Sequence, residues 1–161
     1  MGKGRPPAQL HQFLPLYDIG GEAYFGYRMV LAAKLFDRRV MQLLAEHGDL
    51  SLPQWRIVAQ LGLTGAGTVK SLAEGAAVDR AEVSRAMRDL ERRKLVLRRA
   101  ARGTDRRSPS FELTTAGKRN YATLRRPISR FISRLVEDVA HNDLAAADRV
   151  LFAITSGCLL P

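Results

Sequence analysis

From about residue 22 to residue 46 the apolar positions Tyr24, Tyr27, Leu31 and Leu35, then Phe36, Val40 and Leu43, return every three or four residues. That spacing lines one face of an α-helix, so the pattern predicts a long amphipathic helix with Gly48 after its end. In "SLPQW", Ser51 is placed to cap a second helix while Gln54 returns a bond three residues on, and Pro53 falls in the first turn, where no amide is missed. This second helix is expected over about 52–61. "GLTGAG" breaks it, and Thr68 is placed to cap a short third helix to about residue 75.

The segment "AVDRAEVSRAMRDLERRKLV" carries the strongest pattern in the chain. Asp79 and Glu82 form a box of the capping type, and Val83, Ala86, Met87 and Leu90 share one side of the helix that they begin. At about 100° per residue the opposite side holds Ala81, Ser84, Arg85, Arg88 and Arg92. One helix therefore pairs a core stripe with an arginine stripe. Beyond it, "LVLRRA" and "SFELT" read as two strands, with Phe111 and Leu113 on one face and Ser110 and Glu112 on the other. Leu113 and Thr114 then read as staple and cap of a long helix over about 115–139, and Asn142 or Asp143 begins a last one. The first twenty residues, with Pro6, Pro7, Pro15 and three glycines and with Gly21 directly after, read as an arm with turns. There is no internal repeat or low-complexity tract.

Charge changes the picture more than length does. At 161 residues the chain is about one domain long, and a net charge of +10 calls for a polyanionic partner. Nucleic acid leads and an anionic membrane surface follows. The membrane reading weakens because no apolar run approaches the ~18 residues that a span needs. The start "MGKGRPP" has no apolar signal region, and Pro6 stands where a myristoylation motif needs Ser or Thr. Cys158 is the single cysteine, so no internal disulfide forms, and a cytoplasmic location is expected.

A short helix, a turn, a second helix with an outward polar face and a charged hairpin make a winged helix-turn-helix: a mostly α fold with a small β-hairpin wing. Leu72 and Ala73 on the first of these helices must meet Val78 and Val83 across a tight turn. The second helix is then free to enter a major groove about 12 Å wide.

The run "TVKSLAEGAAVDRAEVSRAMRDLERRKLVLRRAARGTDRRSPSFELTTAGK" resembles the multiple-antibiotic-resistance regulator (MarR) family of bacterial transcription factors, down to the "DRR" of the wing and the "LTTAG" after it. The resemblance is close over about 52–117 and rests on pattern alone in the flanking helices. It implies an arm over 1–20 and one domain over 21–161. Within that domain it implies a winged helix-turn-helix lobe over about 51–117, flanked by dimerisation helices over about 21–47 and 115–158. It further implies a homodimer whose recognition helices enter successive major grooves and whose wing arginines reach the minor groove. Carried over by position, Arg80, Ala81, Ser84, Arg85 and Arg88 match the DNA-facing part of the recognition helix. Arg107, beside Arg106, matches the minor-groove arginine, and Asp105 the residue that orients the wing. Lys94 departs from the family's usual glycine at the end of the recognition helix. A residue with a side chain tolerates a left-handed conformation poorly, so a different helix end is expected here.

An arginine stripe on a surface helix is most often a solvated face. The loop shifts that balance, because residues 79–107 hold 11 basic and 5 acidic residues, +6 of the chain's +10. Phosphate binding requires such concentration and solvation does not. His11, His47 and His141 lie far apart, so no metal site is expected, and no cofactor. "GLTGAGTVKS" fails as a phosphate-binding loop because Lys70 stands three residues past Gly67. Cys158, near the end among apolar residues, reads as a packed cysteine ahead of a redox sensor.

Three function classes remain. A sequence-specific DNA-binding regulator, a repressor on an inverted-repeat operator, accounts for wing, stripe and flanking helices together. A sequence-indifferent architectural DNA binder accounts for the charge alone. An enzyme acting on nucleic acid needs clustered carboxylates or a metal site, and the sequence offers neither. In the resembled family a small aromatic molecule often acts at a pocket between the dimer helices and the DNA-binding lobe. Tyr24, Tyr27, Phe36 and Trp55 are the candidates to line such a pocket, against the plainer reading of aromatic residues at helical spacing as core.

Overall fold

The computed structural model describes residues 23–76, 78–99 and 109–159. In chain order the elements are α1 (Ala23–His47), α2 (Leu52–Thr64), β1 (Ala66–Thr68), α3 (Val69–Ala76), α4 (Arg80–Arg92), β2 (Val96–Arg99), β3 (Ser110–Leu113), α5 (Thr115–Leu135) and α6 (His141–Leu159). The result is a mostly helical winged-helix fold with a small antiparallel sheet, as the periodicity predicts.

Capping residues set the boundaries. Ser51 and Gln54 form a reciprocal capping box at the start of α2, the Ser51 amide donating to Gln54 Oε1 at 2.9 Å. The helix runs three residues beyond the expected Leu61 because Gly62 does not break it. A Cβ on Gly62 would lie 2.6 Å from the Tyr121 ring, so this glycine lets α5 approach closely. Gly65, at φ 81°, ends the helix instead. Asp79 caps α4 by accepting from the amides of Ala81 (2.7 Å) and Glu82.

The sheet holds a strand that the sequence pattern does not announce. Ala66–Thr68 pairs with β3 in the register Ala66↔Glu112, Gly67↔Phe111 and Thr68↔Ser110, which gives the order β1-β3-β2. Three residues are too few to display an alternation, and their partner lies more than forty residues on.

One core joins the elements. The predicted stripe of α4 (Val83, Ala86, Met87, Leu90) shares one buried cluster with Ile57, Val58 and Leu61 of α2, Leu72 and Ala73 of α3, and Leu124 and Ile128 of α5. The outer elements are covered unequally. Val40, Leu43 and Leu44 in the last turns of α1 are buried, whereas Tyr27, Val30, Leu35 and Phe36 in its earlier turns are exposed. Helix α6 has no buried residue among the described ones, and leaves Val150, Leu151 and Phe152 open. α5 ends at Leu135, earlier than the expected 139, and Cys158 is exposed, not packed as the sequence suggested, since no other described element covers its helix.

Candidate nucleic-acid interface

The outward face of α4 follows from the inward one. With Val83, Ala86, Met87 and Leu90 turned to the core, the 3.6-residue repeat leaves Arg80, Ala81, Arg85 and Arg88 exposed and Ser84 half-buried. Arg88 Nε donates to the Ser84 carbonyl at 3.3 Å. Arg80, Arg85 and Arg88 make no ion pair with a carboxylate among the described residues. Arg92, by contrast, is engaged by Asp89.

The far end of the helix is anchored. The Arg93, Lys94 and Leu95 turn closes with Lys94 N donating to Glu91 O and Leu95 N to Leu90 O, both at 2.9 Å. This is the bonding of a Schellman cap, and Lys94 takes the left-handed place at φ 56°. The helix end is therefore the one that glycine would give, contrary to expectation: the buried Leu90 and Leu95 on either side hold the lysine backbone there. Thr114 Oγ1 donates to Lys94 O at 2.7 Å and accepts from Gly117 N at 3.0 Å, which ties the start of α5 to the end of α4. A Cβ on Gly117 would lie 2.0 Å from Leu95 O, so only glycine permits this approach.

Side-chain bonds fix α4 against the rest of the lobe. Gln54 Nε2 donates to Asp89 Oδ2 at 2.6 Å, and Arg93 bridges Asp89 to Asp49 in the α1–α2 turn. Arg56 pairs with both oxygens of Asp37 at 2.9 Å, joining α2 to α1. Sequence patterning missed these contacts, because Gln54 and Asp89 are 35 positions apart and periodicity carries no sign of such a pair.

The wing is described in its stem only. Val96 pairs with Leu113 and Arg99 with Ser110, and Arg99 Nε reaches Glu112 at 3.3 Å. Arg98 is exposed on β2 beside it, a basic residue that the sequence reading left out of the site. Asp105, Arg106 and Arg107 lie outside the described residues.

The four aromatic candidates do not converge. Trp55 is 8% exposed and stacks on Tyr121 with centroids 6.0 Å apart, as a core residue. Tyr27 is exposed on α1, and the Tyr24 side chain lies outside the described residues. Phe36 alone lines an open apolar groove of about 950 Å³, together with Met29, Ala33, Phe131, Leu135 and Leu151. The separation arises because Trp55 is on the buried face of α2, while Phe36 is on the uncovered part of α1.

Among the described residues no helix is long and apolar enough to cross a membrane. Residues 50–108 match the MarR family. No curated protein matches the chain. Among solved structures, a MarR-family transcriptional regulator from Silicibacter pomeroyi is similar at 24% identity and a TM-score of 0.77, covering 91% of this chain and 97% of that one. NadR in complex with 4-hydroxyphenylacetate is similar at 19% identity and a TM-score of 0.72, covering 84% and 93%. A mutant MarR from E. coli complexed with operator DNA is similar at 17% identity and a TM-score of 0.68, covering 90% and 96%.

Proposed function

We propose that the chain, whose residues 50–108 match the MarR family, is a sequence-specific DNA-binding transcriptional repressor, acting as a homodimer on an inverted-repeat operator in the cytoplasm. The observation that carries the reading is the outward face of α4, where Arg80, Arg85 and Arg88 stand exposed and unpaired with any described carboxylate while the other face of the same helix builds the core. In this reading Arg85 and Arg88 reach guanine edges in the major groove, Ala81 meets a thymine methyl and Ser84 accepts or donates to either strand. Arg107, with Arg106 beside it and Asp105 orienting it, enters the flanking minor groove. A similar fold in complex with operator DNA supports DNA as the partner.

The second copy is proposed from the uncovered surfaces of α1, α5 and α6. An apolar groove of this size on a lone chain supports a partner interface there. Effector control is proposed through the same groove. Phe36 keeps its part in it, Tyr24 and Tyr27 at the start of α1 remain candidates, and Trp55 acts only from the core. NadR's complex with 4-hydroxyphenylacetate supports a small aromatic ligand.

The competing reading, a sequence-indifferent architectural binder, is favoured by charge alone. Selection of binding sites from a random duplex pool separates the two: the proposal expects an inverted repeat with half-site centres about one helical turn apart. Recovery of no common sequence would favour the architectural binder. Arg85→Ala and Arg88→Ala should each cost ~1–3 kcal/mol on the selected site and far less on random duplex.

A further inference from the structure

A second basic surface lies outside the winged lobe. Helix α5 carries Lys118, Arg119, Arg125, Arg126, Arg130 and Arg134 and no acidic residue. Arg119, Arg126, Arg130 and Arg134 fall within a sector about 80° wide at about 100° per residue. All four are exposed, and none makes an ion pair among the described residues. Over fifteen positions the row is about 22 Å long at 1.5 Å per residue. Arg126, Arg130 and Arg134 follow at four-residue intervals, the spacing at which like charges on a helix oppose each other. Thr123 is exposed in the same sector and adds a hydroxyl donor without bulk.

A second copy seated on the apolar groove would leave this row uncovered. The buried residues of α5 (Gly117, Leu124 and Ile128) point roughly opposite to it, and Phe131 and Leu135, which line the apolar groove, are on that same inner side. A partner seated on the groove therefore packs against the reverse of the helix. Nor does the recognition helix use the row, since α5 begins at the C-terminal end of α4, where Thr114 is bonded to Lys94.

We propose that the α5 arginine row is a separate, sequence-indifferent track for the phosphates of a second duplex segment, so that the protein holds one stretch of DNA through α4 and another along α5. Arginine and hydroxyl side chains in line bind phosphate oxygens, and the row offers no aromatic or amide group to read a base. Duplex DNA is the polyanion at hand wherever the α4 face is engaged, and in that sense the inference rests on the function proposed above.

The test uses the full chain and the variant Arg119→Gln, Arg126→Gln, Arg130→Gln and Arg134→Gln, since glutamine keeps helix propensity and removes the charge. Each protein is saturated with a short duplex carrying the selected operator, and a labelled random-sequence duplex is then titrated at low and moderate salt. The unaltered chain should capture the second duplex with a steep salt dependence. The variant should hold operator as before but take up the second duplex at least about tenfold more weakly and with a shallower salt slope. Equal capture by both proteins, or none by the unaltered chain, would overturn the proposal and leave the row a solvated face. Loss of operator preference in the first step would count against the proposed function instead, and an operator-free titration of both proteins with the random duplex then decides the role of the row.

Discussion

The hydroxyl of Thr114 donates to the carbonyl of Lys94 across 2.7 Å, so the residue that caps α5 also closes the end of α4. The same oxygen accepts from Gly117 N, and Thr114 N donates to Leu95 O at 3.0 Å. The helix that presents the basic face is therefore bonded directly to the helix that leads to the uncovered apolar surface. Thr114→Ala removes both the cap and the donor and should destabilise the fold by ~1–2 kcal/mol in urea unfolding. An unchanged midpoint would mean that water replaces both bonds without cost.

Lys94 in the left-handed region sets up the opposite experiment. A side chain there costs ~1–2 kcal/mol, of which the greater freedom of glycine in the unfolded chain offsets part. Lys94→Gly should therefore raise stability by ~0.5–1 kcal/mol with the secondary structure unchanged. A lower midpoint would show that the lysine side chain makes a contact worth more than the backbone strain.

The exposed apolar row of α6 predicts the oligomeric state. Leu151 is 51% exposed and Phe152 74%, on a helix with no buried residue among the described ones. Sedimentation should find a dimer at micromolar concentration, and Leu151→Asp should shift it towards monomer with lower thermal stability. A folded monomer of the unaltered chain would remove the basis for the paired half-sites.

Arg107 is predicted from sequence alone, since the wing tip lies outside the described residues. A narrow A·T-rich minor groove concentrates negative potential and favours an inserted arginine. Arg107→Ala should reduce the salt slope by about one unit per wing and weaken the preference for A·T flanks. Binding with unchanged affinity and slope would make the wing a solvated hairpin.

The sequence disclosed those parts of the fold that repeat locally. The inward row of α4, the cap at Asp79 and the Ser51–Gln54 box all follow from spacings of three and four, and the structure has each in place. Relations between distant residues were not legible. The pairing of β1 with β3, the Gln54–Asp89 bond and the fit of Gly62 against Tyr121 depend on which surfaces meet after folding. Trp55 and Phe36 show the same boundary: both are aromatic residues at helical spacing, and only packing separates the core residue from the one that lines the groove. Lys94 was legible as an oddity, but its outcome was set by Leu90 and Leu95 beneath it.

In this proposal the outward face of α4 reads sequence. The measurement that meets it most directly is the ratio of affinities for the selected operator and for random duplex of equal length, taken at physiological salt. A regulator of the kind proposed keeps a ratio of ~10³ or more under those conditions. A ratio close to one, with both affinities falling alike as salt rises, would contradict the claim and leave Arg80, Arg85 and Arg88 as contacts to phosphate alone.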